Sequence, residues 1–211
     1  MAEPVDWQAL GQAFSESGSE HKFATYRLRK WARSAEFAGW IEQDGLTSLC
    51  TEQALVLYTA SGGSKRDDFK SNSIAEIRDS LDFLLYDTVK LEGRFQECAD
   101  DAGAFKLAGA GKDFVSYLLC LSEPRIFAVW NVNSEKALKK LGIDMRTLRR
   151  GPIGIGYIDL LEAAALVQRH LGMDDFRTVD EFIYWASRPL ALPKLSPAIA
   201  PGIAAEISAP D

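Results

Sequence analysis

The stretch Phe105-Lys106-Leu107-Ala108-Gly109-Ala110-Gly111-Lys112-Asp113-Phe114-Val115-Ser116-Tyr117-Leu118 sets two glycines, separated by one small residue, between helical segments. Glycine at 109 and 111 lets the backbone turn sharply and come close to another surface. The N–H groups opening the helix from Lys112 can meet an anion such as a phosphate. Leu107 to Leu118 therefore predicts a helix-hairpin-helix whose candidate contacts are Gly109, Gly111 and Lys112. A P-loop is excluded, since its spacing needs glycine where Lys106 stands and Ser or Thr where Asp113 stands. No strand precedes the glycines and a third glycine is missing, which excludes a dinucleotide fingerprint.

Helical spacing continues on both sides. Ile74, Ile77, Leu81, Leu84 and Leu85 form one apolar stripe, opened by a capping box of Ser73 and Glu76. From Gly156, Tyr157, Leu160, Ala164, Val167 and Leu171 repeat the pattern until Gly172 stops it. Thr178 and Glu181 predict another capping box, ahead of Val179, Phe182, Trp185 and Ala186. Near the start, Trp7, Leu10 and Phe14 share a stripe, and an aromatic-rich helical stretch from His21 to Gln43 is closed by Gly45. Thr59 to Asn72 has loop chemistry. Ile126 to Val132 has strand-like content but no partner of similar length, so the expected fold is all-α, with one helical domain over residues 1–188. Five of the eight prolines fall in residues 189–211, which predicts an extended, mobile tail.

Composition agrees with one soluble unit: 211 residues, 47% of them apolar and 26% charged, are enough to bury a normal core. The net charge of −6 repels nucleic acid and anionic lipid, so either partner would need a locally basic patch. Residues 136–150 are such a patch: Lys136, Lys139, Lys140, Arg146, Arg149 and Arg150 against Asp144 give a local +5 and leave −11 elsewhere. Lys112, Lys65, Arg66 and the cluster Arg27, Arg29, Lys30 and Arg33 extend it if the fold brings them together. Cys50, Cys98 and Cys120 form no paired motif and read as reduced thiols of a cytoplasmic protein. No stretch has the length of a membrane span, and the acidic start lacks the features of a secretory signal.

Leu107 to Gly111 with its following helix, Phe127-Ala128-Val129, and Ala137 to Gly142 resemble the helix-hairpin-helix DNA glycosylase superfamily over roughly residues 73–142. The resemblance implies DNA binding and a pocket for a flipped base, for which Tyr117, Trp130 and Asn131 are the candidates. The family's catalytic aspartate would fall on Asn131, and the catalytic lysine of its bifunctional members on Asp113; neither has the required chemistry. Gly109 to Leu119, Pro124 to Asn131, and Met173 to Trp185 also resemble the region preceding the motor in ATPases related to the restriction protein McrB. Walker motifs are absent, so that resemblance implies a recognition part whose motor or nuclease comes from a protein partner.

Nothing else in the chain favours catalysis. His21 and His170 are isolated, Ser116 lacks a nucleophile elbow, and Asp67/Asp68, Asp100/Asp101 and Asp174/Asp175 are adjacent pairs that splay apart. No catalytic residue, metal or cofactor is therefore expected. The leading expectation is a non-catalytic protein that binds duplex DNA backbone, in bacterial defence or genome maintenance. The alternatives are an adaptor for other proteins that binds no DNA, and a base-excision enzyme with displaced catalytic residues.

Overall fold

A computed structural model of the protein describes residues 5–17, 21–143 and 151–188. They form α1 (Trp7–Ser17), α2 (His21–Lys30), α3 (Ser34–Ile41), α4 (Gln43–Ser48), α5 (Thr51–Ser61) and α6 (Arg66–Lys70). These are followed by α7 (Ile74–Tyr86), α8 (Leu91–Ala99), α9 (Lys112–Ser122), α10 (Val132–Lys140), α11 (Ile153–Leu171) and α12 (Phe176–Ala186). The fold is all-α, with no strand among the described residues; Ile126 to Asn131 lies in the irregular link between α9 and α10, and Val132 opens α10. The tail from residue 189 lies outside the described residues.

Local signals act as expected at α7 and α11. The Ser73 hydroxyl accepts from Glu76 N–H while the Glu76 carboxylate accepts from Ser73 N–H, closing the capping box. Gly172 ends α11 in the left-handed region, φ +62°. Three expectations need correction. Helix α12 starts at Phe176 rather than after Thr178, because the Asp175 carboxylate caps it by accepting from Thr178 N–H at 3.0 Å. Glu181 is thereby released to pair with Arg27 at 2.9 Å. Gly45 does not close the aromatic stretch; that stretch is divided among several helices, and Gly45 lies inside α4, where a Cβ would sit 2.1 Å from Gly39 O. The segment from Thr59 to Asn72 is not all loop, since α5 runs to Ser61 and α6 occupies its second half.

Helix α9 is the axis of the core. Every side chain from Phe114 to Leu121 is buried, as expected of a helix surrounded on all sides, and α3, α5, α7 and α8 pack around it. Helices α8 and α11 approach closely because Gly154 has no side chain: a Cβ there would meet Glu92 O at 1.9 Å. Phe95 and Tyr157 stack across that contact with centroids 4.0 Å apart.

One ion pair lies inside this apolar setting. Lys30 on α2 and Asp180 on α12 are both 2% exposed at the side chain and meet at 2.9 Å. Asp180 also accepts from Tyr26 Oη at 2.7 Å and Trp31 Nε1 at 3.0 Å, while the Lys30 ammonium donates to Tyr26 Oη and lies over three aromatic rings. Burial and the adjacent carboxylate hold the Tyr26 phenol well above its usual pKa, so its proton stays in the network. We predict that Asp180→Ala, which strands the lysine charge, lowers stability by about 3 to 5 kcal/mol, whereas Lys30→Met with Asp180→Leu recovers most of the loss. Urea denaturation of the single and double variants measures both; equal losses would remove the stranded charge as the cause.

Burial also sorts the thiols. It raises the Cys98 thiol to about 12 and raises that of the fully enclosed Cys120, while Cys50 is exposed. Native protein should therefore react at one thiol per chain with a disulfide reagent at neutral pH, and at three after unfolding. Rapid native labelling of a second thiol would contradict that packing.

Candidate nucleic-acid interface

A turn forms at the expected glycines, with Ala110 N–H donating to Leu107 O at 3.1 Å, but residues 100–111 are irregular and the preceding helix, α8, ends at Ala99. Gly109 is left-handed, φ +74°, and its close approach is to the protein itself: a Cβ would lie 2.7 Å from Lys65 O and 2.8 Å from Phe69 N. Tyr58 fastens the turn by donating to Gly109 O at 2.9 Å while accepting from Lys65 N–H at 3.0 Å. Asn72 adds a reciprocal pair with Ala108, at 2.9 and 3.1 Å. Gly109 is thus seated on the start of α6, which accounts for glycine there without an external ligand.

Gly111 has a different position. Its backbone is extended (φ −142°, ψ −173°), it is the N-cap of α9, and no side chain caps that helix. Asn131 is the N-cap of α10; its amide oxygen accepts from Asn133 and Ser134 N–H at 2.8 and 3.1 Å. The position that the glycosylase resemblance assigns to a catalytic aspartate is thus occupied here by a helix cap, a role asparagine fills as well as aspartate. Ser116 ties the two helix starts together by accepting from Trp130 N–H at 2.8 Å while donating to Lys112 O at 2.6 Å.

Both helix N-termini open onto one cleft of about 400 Å³, lined also by Arg29, Gly62, Asp113 and Asn133. Each N-terminus contributes a partial positive charge of roughly half a unit, and Arg29 adds a full one. Lys112 borders the cleft, but its ammonium is committed to the Glu135 carboxylate and lies 4.4 Å above the Trp130 ring. Asp113, in the first turn of α9, brings a carboxylate to the lining of the same cleft.

The candidate base pocket is not assembled. Trp130 is 2% exposed and Tyr117 fully buried, its hydroxyl donating to Lys30 O at 2.8 Å, so both rings belong to the core and neither offers a face to a base. Only Asn131, of those three, lines the cleft.

The basic run divides. Lys136 and Lys139 are exposed and share with Val132 the face of α10 opposite its buried Ser134, Ala137 and Leu138, so they continue outward from the cleft. Lys140 turns the other way: its ammonium donates to the carbonyls of Ala186, Ser187 and Arg188 at 3.1, 3.0 and 2.6 Å, closing the C-terminus of α12. Partial burial holds its pKa below the usual lysine value. Arg146, Arg149 and Arg150 lie outside the described residues.

The other cations separate in the same manner. Arg27 pairs with Glu181, and Lys30 is buried. Arg29, Arg33 and Arg66 border a second cleft of about 430 Å³ between α3 and α5, which shares Arg29 with the first. That grouping sets Arg66 beside Arg29 and Arg33 of the upstream cluster. Among the described residues, no group of three or more His, Cys, Asp and Glu side chains is placed to hold a metal.

No family model matches the chain, and no curated protein or solved structure is significantly similar to it.

The seating of Gly109 gives a test. Gly109→Ala imposes left-handed strain and forces the turn off α6, for a loss of about 2 to 4 kcal/mol. Gly142, at φ +71° with nothing within 4 Å of where a Cβ would stand, carries the strain alone, so Gly142→Ala should cost about 1 kcal/mol. Thermal denaturation of the two variants compares them; an equal loss would mean that the contact with α6 contributes nothing.

Proposed function

We propose that this protein binds duplex DNA non-catalytically through the sugar-phosphate backbone, with one phosphate in the cleft between the α9 and α10 N-termini. The reading rests on one observation: two helix N-termini and Arg29 face the same opening. The N–H groups at the start of α9, aligned with the helix dipole and without a side-chain cap, suit an anion, whereas those of α10 are already taken by Asn131 and leave that helix its dipole alone. Lys136 and Lys139 lie on the exposed face leading away from that opening and would meet neighbouring phosphates. Such contacts position the protein without reading sequence, so affinity comes from charge and falls with salt.

The identities of two residues at the cleft support the non-catalytic part of the reading. The helix-capping Asn131 supplies no carboxylate, and Asp113 supplies no amine. The resemblance to McrB-related ATPases supports a setting in bacterial defence, with a motor or nuclease from another chain. The resemblance to glycosylases supports the backbone-binding part of the reading and not the base-excising part.

Fluorescence anisotropy of a labelled duplex at low and moderate salt tests the proposal. We expect the logarithm of affinity to fall linearly with the logarithm of salt, with a slope near roughly −0.9 for each phosphate contacted. Lys136→Ala with Lys139→Ala should weaken binding equally for all sequences and make that slope shallower by about 2. Asp113→Asn should strengthen binding, since it removes the carboxylate that faces the incoming phosphate. Lys140→Ala should affect the stability of α12 and not the affinity. Absence of binding at low salt, or indifference to the lysine pair, rejects the proposal.

A further inference from the structure

The second cleft has a different chemistry from the first. Its floor is made by Leu55, Val56 and Ala60 of α5 against Phe37 of α3, with Leu55 and Val56 half-buried. Arg29, Arg33 and Arg66 stand around it as exposed guanidiniums. Arg33 is held by Glu36 through two short hydrogen bonds, whereas Arg29 and Arg66 have no carboxylate partner among the described residues. Only Glu52 supplies a negative charge to the lining.

We infer that this cleft is a docking groove for an acidic amphipathic segment of a protein partner, which seats apolar side chains on Leu55 and Val56 and carboxylates on Arg29 and Arg66. Complementarity of charge selects the occupant's acidity, and the apolar floor selects a peptide over a nucleic acid strand. A phosphate backbone gains nothing from aliphatic side chains, and the one aromatic ring in the lining, Phe37, is 2% exposed and offers no face for a base to stack on. An amphipathic segment uses both parts: anchors spaced three and four residues apart fill the floor while acids between them reach guanidiniums, whose planar fork suits carboxylates. This groove is separate from the DNA reading except for Arg29, and the residues that test it lie outside the DNA-contacting set.

The full chain is titrated against two fluorescein-labelled peptides of about 15 residues, one with leucines at three-and-four spacing among glutamates and one with serine at each leucine position. We expect the leucine peptide to bind at least about tenfold more tightly than the serine peptide, and Arg66→Glu and Val56→Asp each to weaken it by about tenfold. Arg66 is exposed, so its charge reversal reads the groove even where Val56→Asp disturbs folding. Equal binding of the two peptides, no binding, or insensitivity to Arg66→Glu overturns the proposal. So does displacement of the leucine peptide by a single-stranded oligonucleotide under control of Arg66, which would assign the groove to nucleic acid. Lys136→Ala with Lys139→Ala should leave peptide binding unchanged, so failure of the groove and failure of the DNA surface are told apart.

Discussion

A carboxylate withdrawn from water must replace its hydration with donors, and Asp180 collects three of them from one stretch of chain, residues 26 to 31. This fixes α12 against α2, joining residues about 150 positions apart in sequence. The effect extends inward, because the carbonyl of Lys30 accepts from Tyr117 at the centre of α9. It also extends outward, because Arg29, next to Lys30, is presented to the two clefts. A buried ion pair is a costly way to add stability, since desolvation consumes much of the attraction. What it adds here is register: an apolar α2–α12 contact would tolerate sliding, whereas three directed hydrogen bonds on one carboxylate do not.

Helix existence is legible in the sequence because it depends on local chemistry. The stripe after Ser73 and the Gly172 stop require only propensity and capping, and both stand in the fold. The start of α12 is not legible in the same way: Thr178 and Glu181 have the spacing of a capping box, but the cap is Asp175, three residues earlier. With Asp175 as the cap, Glu181 is left to pair with Arg27, a contact between residues far apart in sequence. The hairpin is legible as a turn, but not in its direction. Which surface Gly109 approaches depends on Tyr58 and Asn72, which lie far upstream of the turn and show no periodic signal.

The charges are legible as a count and not as a map. Several of the basic residues are drawn to structural work: Lys30 to Asp180, Lys112 to Glu135, Lys140 to the end of α12. Each donates to an acceptor on another helix, and none of those partners is a sequence neighbour of its lysine. Arg29, Arg66, Lys136 and Lys139 are among the described cations that remain on the surface with no such demand upon them. A run of like charges therefore overstates a contact face: its members are first claimed by helix ends and buried carboxylates.

The same reasoning explains how an acidic protein can present an anion-attracting opening. Screening limits the reach of surface charge to about 10 Å at moderate salt, so the net −6 acts weakly at contact distance while groups lining a cleft act strongly. The N–H groups of α9 are well placed in this respect, because they belong to the backbone and no side chain caps them, whereas Lys112 is drawn to Glu135 and the α10 N–H groups to Asn131. Asp113 brings a carboxylate to the lining of the cleft, and it stands in the first turn of α9, where that carboxylate is itself favoured by the helix dipole. On the reading proposed above, an arriving phosphate would compete with this carboxylate, and the balance of the site would then rest on the single side chain of Asp113.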